Sequence, residues 1–274
     1  MSAEKKRILI VTNELSPYLE LTDFATILNK LAIKTFDAGI EVRVIMPRFG
    51  LINERRHRLH EVVRLSGINI VVDGDDYPLI IKVASLPNAR LQVYFMDNED
   101  FYKRKFAFRD ADENWYEDNA DRAVFFCKSA LETVKKFGWP PHLIHCHGWM
   151  ASLLPTYLKT AYKKEPVFSY SKVMFTAQNS QFEEKMPADF VKKALINADI
   201  KEKDLELYKE GTHAALTRGG VKCADVVVIG EPELDPTIAA EIKPGRGKKV
   251  IPYDETWKED VAPLLQLYKS LTEA

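Results

Sequence analysis

The sequence predicts an α/β fold, a Rossmann-like parallel sheet flanked by helices with an inserted β-hairpin. Short apolar, β-branched runs recur at 7–12, 41–46, 142–147, 172–176 and 225–230. Stretches of helical periodicity separate them, the alternation that builds a parallel sheet with helical crossovers. Around Asp73-Gly74-Asp75 the apolar period changes to two, which marks the hairpin.

The elements follow in order. Between the first two runs, Phe24, Ile27, Leu28 and Leu31 recur at helical spacing and Gly39 closes the turn, giving a βαβ unit. Such crossovers are right-handed, so the loop 13–23 sits at the carboxyl edge of the sheet, where ligands of open α/β sheets bind. The hairpin covers 69–83, and 91–95 is a further strand. Ala120, Ala123, Val124, Cys127, Ala130, Leu131 and Val134 trace one helical stripe, ended by Gly138, Pro140 and Pro141. After the run 142–147 the pattern predicts a helix over 149–162 kinked at Pro155, and a long charged helix over 182–216. The run DVVVIG at 225–230 reads as a buried strand. A Pro/Gly/Lys linker follows at 242–249, then a last helix with Thr256 and Glu259 as its capping box and a kink at Pro263. The domain expectation is therefore a Rossmann-like domain over 1–242, then a linker and amphipathic helix over 243–274.

Composition excludes several function classes. The 274 residues carry 39 Lys+Arg against 40 Asp+Glu, a formal net charge of -1, so no global field favours nucleic acid or an anionic membrane. No apolar stretch approaches the roughly 20 residues of a membrane span, and the run after Lys5, Lys6 and Arg7 is too short for a signal-peptide core. Cys127, Cys146 and Cys223 are isolated thiols, which fits a reducing, cytoplasmic setting.

Four segments carry a resemblance: 14–25 (ELSPYLELTDFA), 47–50 (PRFG), 145–149 (HCHGW) and 176–179 (TAQN). With the helix from Asp118 and the stretch RGGVKCADVVVIGEPELDPTIAAEI, they resemble, in order, the N-terminal half of the glycogen/starch synthase family. That resemblance implies a single half of a B-type, two-Rossmann glycosyltransferase. It further implies that the N-terminal half binds the growing α-1,4-glucan, while a C-terminal half, with no counterpart in this sequence, holds most of the ADP-glucose or UDP-glucose.

Three chemically necessary family residues are replaced. Where the family has lysine, threonine and two glycines cradling the diphosphate, this chain has Glu20, Leu21, Thr22 and Asp23. A diphosphate needs positive charge and free N–H groups. Two unit charges about 4 Å apart interact by roughly 4 kcal/mol at an effective dielectric of 20, so Glu20 swings such a site more than about a thousandfold. Thr22 or Asp23 reads equally as a helix N-cap. Gly148 stands at the family's aspartate beside Trp149, and Gln178, next to Asn179, at its glucose-contacting histidine. Glutamine still donates and accepts but carries no charge.

His145 and His147 share one face of a strand, with Cys146 on the other; two histidines make half a metal site, and hydrogen-bonded or sugar-binding roles read better. Arg55, Arg56, His57, Arg58 and Arg64 read as a solvated face, since Glu54 and Glu61 interrupt them and no aromatics interleave. Phe101, Tyr102, Phe106, Phe108, Trp115 and Tyr116, beside Lys103, Arg104 and Lys105, suit sugar stacking or simply cover the core.

The expectation is a family domain without catalysis of its own, assigned no catalytic residue, metal or cofactor, and binding an α-glucan or a partner. The alternative is a glucosyltransferase subunit of α-1,4-glucan synthesis served by a separate donor-binding chain. Trp149 and Trp115 are expected to lie open and, with the tail helix, to serve association with a like chain or that partner, the tail's apolar face being buried either across that interface or back on its own domain.

Overall fold

The computed structural model describes residues 5–87, 89–245 and 247–273. Its strands are β1 (Arg7–Thr12), β2 (Glu41–Pro47), β3 (His60–Glu61), β4 (Ile68–Val72), β5 (Asp75–Ser85), β6 (Gln92–Asp97), β7 (Leu143–His147), β8 (Lys172–Ala177), β9 (Val226–Ile229) and β10 (Lys249–Ile251). The helices are α1 (Phe24–Asp37), α2 (Glu54–His57), α3 (Glu99–Tyr102), α4 (Asn119–Phe137), α5 (Leu153–Lys159), α6 (Phe190–Ala194), α7 (His213–Cys223), α8 (Pro236–Ala239) and α9 (Ala262–Thr272).

The sheet order is β10-β9-β8-β7-β1-β2-β6-β5-β3, parallel from β10 to β6. The expected hairpin is β4 and β5, and β5 continues into the sheet antiparallel to β6. Its two turn residues, Asp73 and Gly74, have φ of 47° and 94°, the double left-handed turn that matches strand twist.

Period-two alternation on β7 decides the layers. His145 and His147 face α1 and α9: Phe24 of α1 stacks on His147 at 4.7 Å, and Tyr268 of α9 meets His145. On the opposite face Phe175 packs against Gly220 of α7, and Thr133 of α4 reaches Met96. The central strands are buried on both faces, which is why their runs read as continuously apolar.

Several expectations are corrected. The single helix over 182–216 is broken into α6, a 3-10 segment Glu202–Tyr208 and α7. Pro187 has no N–H to offer ahead of α6, Gly211 turns the chain at φ 67°, and Thr212 caps α7 by accepting from Ala215 N at 3.1 Å. Neither proline kinks a helix. Pro155 lies in the first turn of α5, after a 3-10 turn Trp149–Ala151, and Pro263 in the first turn of α9, where an N–H has no helical partner anyway. Asp254, not Thr256, caps the 3-10 turn Glu255–Lys258.

Past the linker, β10 adds a parallel edge strand beside β9 and α9 lies on α1 and β7. Trp257, Val261, Leu264 and Tyr268 are buried against the domain, so the tail's apolar face is covered by its own chain. Lys34–Asp260 at 2.7 Å and the Lys30 Nζ bond to Lys258 O at 2.5 Å fasten it along α1.

Candidate functional site

β1 lies between β2 and β7, so strand order reverses there, and the loops after β1 and β7 meet at the carboxyl edge of the sheet. At their junction stands a residue absent from the candidate set, Glu14, whose side chain has no exposed surface. Its Oε2 accepts from Leu21 N at 2.8 Å and Thr22 N at 2.7 Å. Its Oε1 accepts from Thr22 Oγ1 at 2.6 Å and lies 2.9 Å from His147 Nε2. Burial alone would raise the pKa of this carboxyl, but its bond to and charge interaction with His147, with the Thr22 donors, hold it below the usual carboxylate value. The backbone donors ahead of α1, the kind an anionic ligand takes, are thus occupied by the chain's own carboxylate.

His145 is engaged at both ring nitrogens, Nδ1 with Tyr268 Oη at 2.6 Å and Nε2 with Thr176 Oγ1 at 2.7 Å. Burial and the neighbouring His147 push its pKa down to about 3, so the ring is neutral at ordinary pH. Gly148 has φ 82°, and a Cβ there would sit 1.5 Å from Asn13 Oδ1. Asn13 is fully buried, and among the described residues neither of its side-chain polar atoms has a hydrogen-bond partner; His147 Nδ1 and Trp149 Nε1 share that condition.

Trp149 is 1 % exposed, contrary to the expectation of an open ring. Phe108, Trp115 and Phe182 cover it, at centroid distances of 5.0, 5.7 and 5.3 Å. Trp115 itself is half-buried, and Phe101 and Tyr102 belong to the core, so the aromatic loop divides between core and surface.

The remaining candidates spread along the same edge. Glu20 is exposed and accepts from Ser16 Oγ at 2.6 Å, away from the donors that Glu14 fills. Asp23 occupies the N-cap position of α1 without a side-chain cap bond; Thr22 Oγ1 accepts from Phe24 N at 3.2 Å instead, and Asp23 pairs with Lys258 at 2.8 Å. Gln178 joins Thr22, Asp23, Tyr253 and Lys258 around a cleft of about 250 Å³. Asn179 is a staple: its N and Nδ2 donate to Glu231 at 2.8 Å each, and its Oδ1 accepts from Asp235 N at 2.7 Å.

The family model of the starch synthase catalytic domain matches residues 7–248. This chain belongs to the starch synthase catalytic domain family. It is 33% identical over 228 residues to a glycogen synthase of Chlorobium limicola, covering 83% of this chain and 46% of that protein. A glycogen synthase of Pelodictyon phaeoclathratiforme is 37% identical over 180 residues, 65% of this chain and 37% of the relative. The chain thus spans about half the length or less of the curated relatives it matches. Among solved structures, the catalytic domain of starch synthase IV from Arabidopsis thaliana, bound to ADP and acarbose, superposes with a TM-score of 0.68 over 83% of this chain and 45% of that one, at 16% identity. That likeness bears on the fold, a B-type glycosyltransferase half with a mostly parallel sheet.

In this starch synthase-family domain the two switch-point loops bring Glu14 and His147 together. The sequence reading missed Glu14, Asn13 and Thr176, although all three lie within or beside the segments that carry the resemblance. One signal was available for Glu14: a lone carboxylate directly after an apolar strand, in a loop bound for the sheet's carboxyl edge. Among the described residues no helix is long and apolar enough to cross a membrane.

Proposed function

We propose that this chain is a glycogen/starch synthase-type domain that does not by itself transfer glucose from a nucleotide sugar, and that its carboxyl-edge surface binds α-glucan. The observation that carries the first part is the Glu14 carboxylate on Leu21 N and Thr22 N. A diphosphate placed there meets occupied donors and a buried negative charge, with Glu20 rather than lysine close by in sequence. Gly148 and Gln178 add to it, since neither side chain can carry charge at its position.

Glucan binding is supported by a shallow cleft of about 150 Å³ that Phe106, Phe108, Arg109 and Trp115 line, aromatic faces beside a cation that suit a sugar ring. The purified chain should retain glycogen in a pull-down and lose it on Trp115→Ala, while incorporating no radiolabelled glucose from ADP-glucose or UDP-glucose. Sustained glucan-dependent incorporation by the chain alone overturns the non-catalytic reading. The other reading is a subunit served by a separate donor-binding chain. Incorporation that appears only when the C-terminal half of a relative is added supports that one instead.

A further inference from the structure

The basic residues after PRFG are solvated as expected, with Arg55, Arg56, Arg58 and Arg64 exposed, and three of them also border a cleft. Arg56, His57 and Arg58, with His60 and with Arg90 from the β5–β6 connection, surround one cleft of about 770 Å³. Among the described residues no carboxylate lines it. Of the acidic groups near it in sequence, Glu54 pairs with Arg48 and, at 2.7 Å, with Lys82, and Asp97 pairs with Lys82 at 2.9 Å, while Glu61 beside His60 is exposed. Among the described residues, Arg56, Arg58 and Arg90 have no ion-pair partner. The described lining of the cleft therefore carries net positive charge in a chain whose formal net charge is -1.

Its inner wall is apolar and fixed. Tyr18 packs edge-on against His57 at 4.9 Å and Phe95 at 5.0 Å, and its hydroxyl donates to Ser85 O at 3.2 Å. Leu86 is buried beside it. Arg58 adopts φ 55° at the C-cap of α2, a conformation that glycine takes most easily, yet this position carries a guanidinium.

We propose that this cleft binds a small organic phosphate bearing two or more negative charges, held by Arg56, Arg58 and Arg90 against the Tyr18 wall. Its volume lies within the roughly 300–1,000 Å³ typical of small-molecule sites. Arginine forks match phosphate oxygens, and an apolar wall accommodates the organic body. A nucleic acid strand is disfavoured because it needs a run of stacking aromatics along a basic groove, and among the described residues Tyr18 is the sole aromatic ring lining this cleft besides its histidines. The site is separate from the loop donors that Glu14 fills and stands whether or not the domain binds glucan.

Calorimetry on the full chain at low ionic strength, with pyrophosphate and glucose 1-phosphate as probes, tests the proposal. Saturable binding is expected that weakens with added salt and falls about tenfold or more in Arg58→Gly/Arg90→Ala. Glycine keeps the left-handed backbone at 58, and Arg90→Glu alone provides a second variant should the pair fail to fold; Lys164→Ala, at a distant exposed site, leaves the affinity unchanged. Absence of saturable binding to both probes at millimolar concentration overturns the site, and so does equal affinity in wild type and the cleft variants. A single-stranded oligonucleotide that binds more tightly than either probe and displaces pyrophosphate assigns the cleft to nucleic acid and likewise overturns it.

Discussion

Glu14 Oε1 lies 2.9 Å from His147 Nε2, and neither side chain has any exposed surface. This contact joins the loop after β1 to the last residue of β7 at the reversal of strand order. It also turns a carboxylate onto the backbone donors ahead of α1. A buried acid is tolerated because all of its hydrogen-bond partners are in place.

Removing that acid should be costly. Glu14→Ala leaves Leu21 N, Thr22 N, Thr22 Oγ1 and His147 Nε2 without their partner, and each buried polar group left unsatisfied costs about 1–3 kcal/mol. Glu20→Ala, at an exposed position, should stay within about 0.5 kcal/mol of the wild type. Urea denaturation compares the two, and equal midpoints for both variants would contradict the assignment of Glu14.

Acid should weaken the fold in two stages. His145 and His213 have folded pKa values pushed down, to about 3 and about 4, by burial. Below the ordinary histidine value of 6.5 the unfolded chain therefore binds protons that the folded chain refuses, so stability falls as pH drops, at up to about 1.4 kcal/mol per pH unit for each histidine. Glu14, with its folded pKa lowered, adds a contribution that is present above the ordinary carboxylate value of 4.5 and is lost as pH falls through its folded pKa. Denaturation at pH 7, 6 and 5 should show a shallower slope in His145→Gln than in wild type. An unchanged slope removes His145 from the explanation.

Gly148 and Asn13 should be energetically coupled. An added Cβ at 148 meets Asn13 Oδ1 at 1.5 Å, and φ 82° strains any L side chain. Gly148→Ala is expected to destabilise by about 2 kcal/mol or more, and Asn13→Gly to recover the steric part while the backbone strain remains. A double-mutant cycle reads this directly: additive effects would mean that the asparagine does not occupy the space.

Tyr268 should link the tail to the sheet. Tyr268→Phe leaves His145 Nδ1 buried without its partner and should cost about 1–3 kcal/mol. A shortened chain ending at Lys249 uncovers α1 and β7 and should lose cooperative thermal unfolding. A sharp, unshifted transition in that chain would show that α9 adds nothing to the fold.

The sequence by itself determined a parallel sheet whose first two strands are neighbours, the α1 and α4 helices, the β4–β5 hairpin and the edge at which the loops gather. Apolar period, turn residues and crossover handedness are local or nearly local properties, so they survive without knowledge of distant contacts. Where period misled, over 182–216, a proline, a left-handed glycine and a threonine cap divided what charge and helical spacing joined. The three-residue strand β10 follows a Pro/Gly/Lys segment and depends on backbone pairing with β9. Only the tertiary structure decided which carboxylate meets the loop's N–H groups. Glu14 and Glu20 lie six positions apart in one loop, and the fold buries the first against His147 from 133 residues away while leaving the second in solvent. The same holds for Trp149, covered by rings from the loop before α4 and from Phe182, and for the arginines of the cleft, gathered from either side of β5. Each of these is a long-range packing contact, whose distance is set by the assembled sheet and not by spacing along the chain.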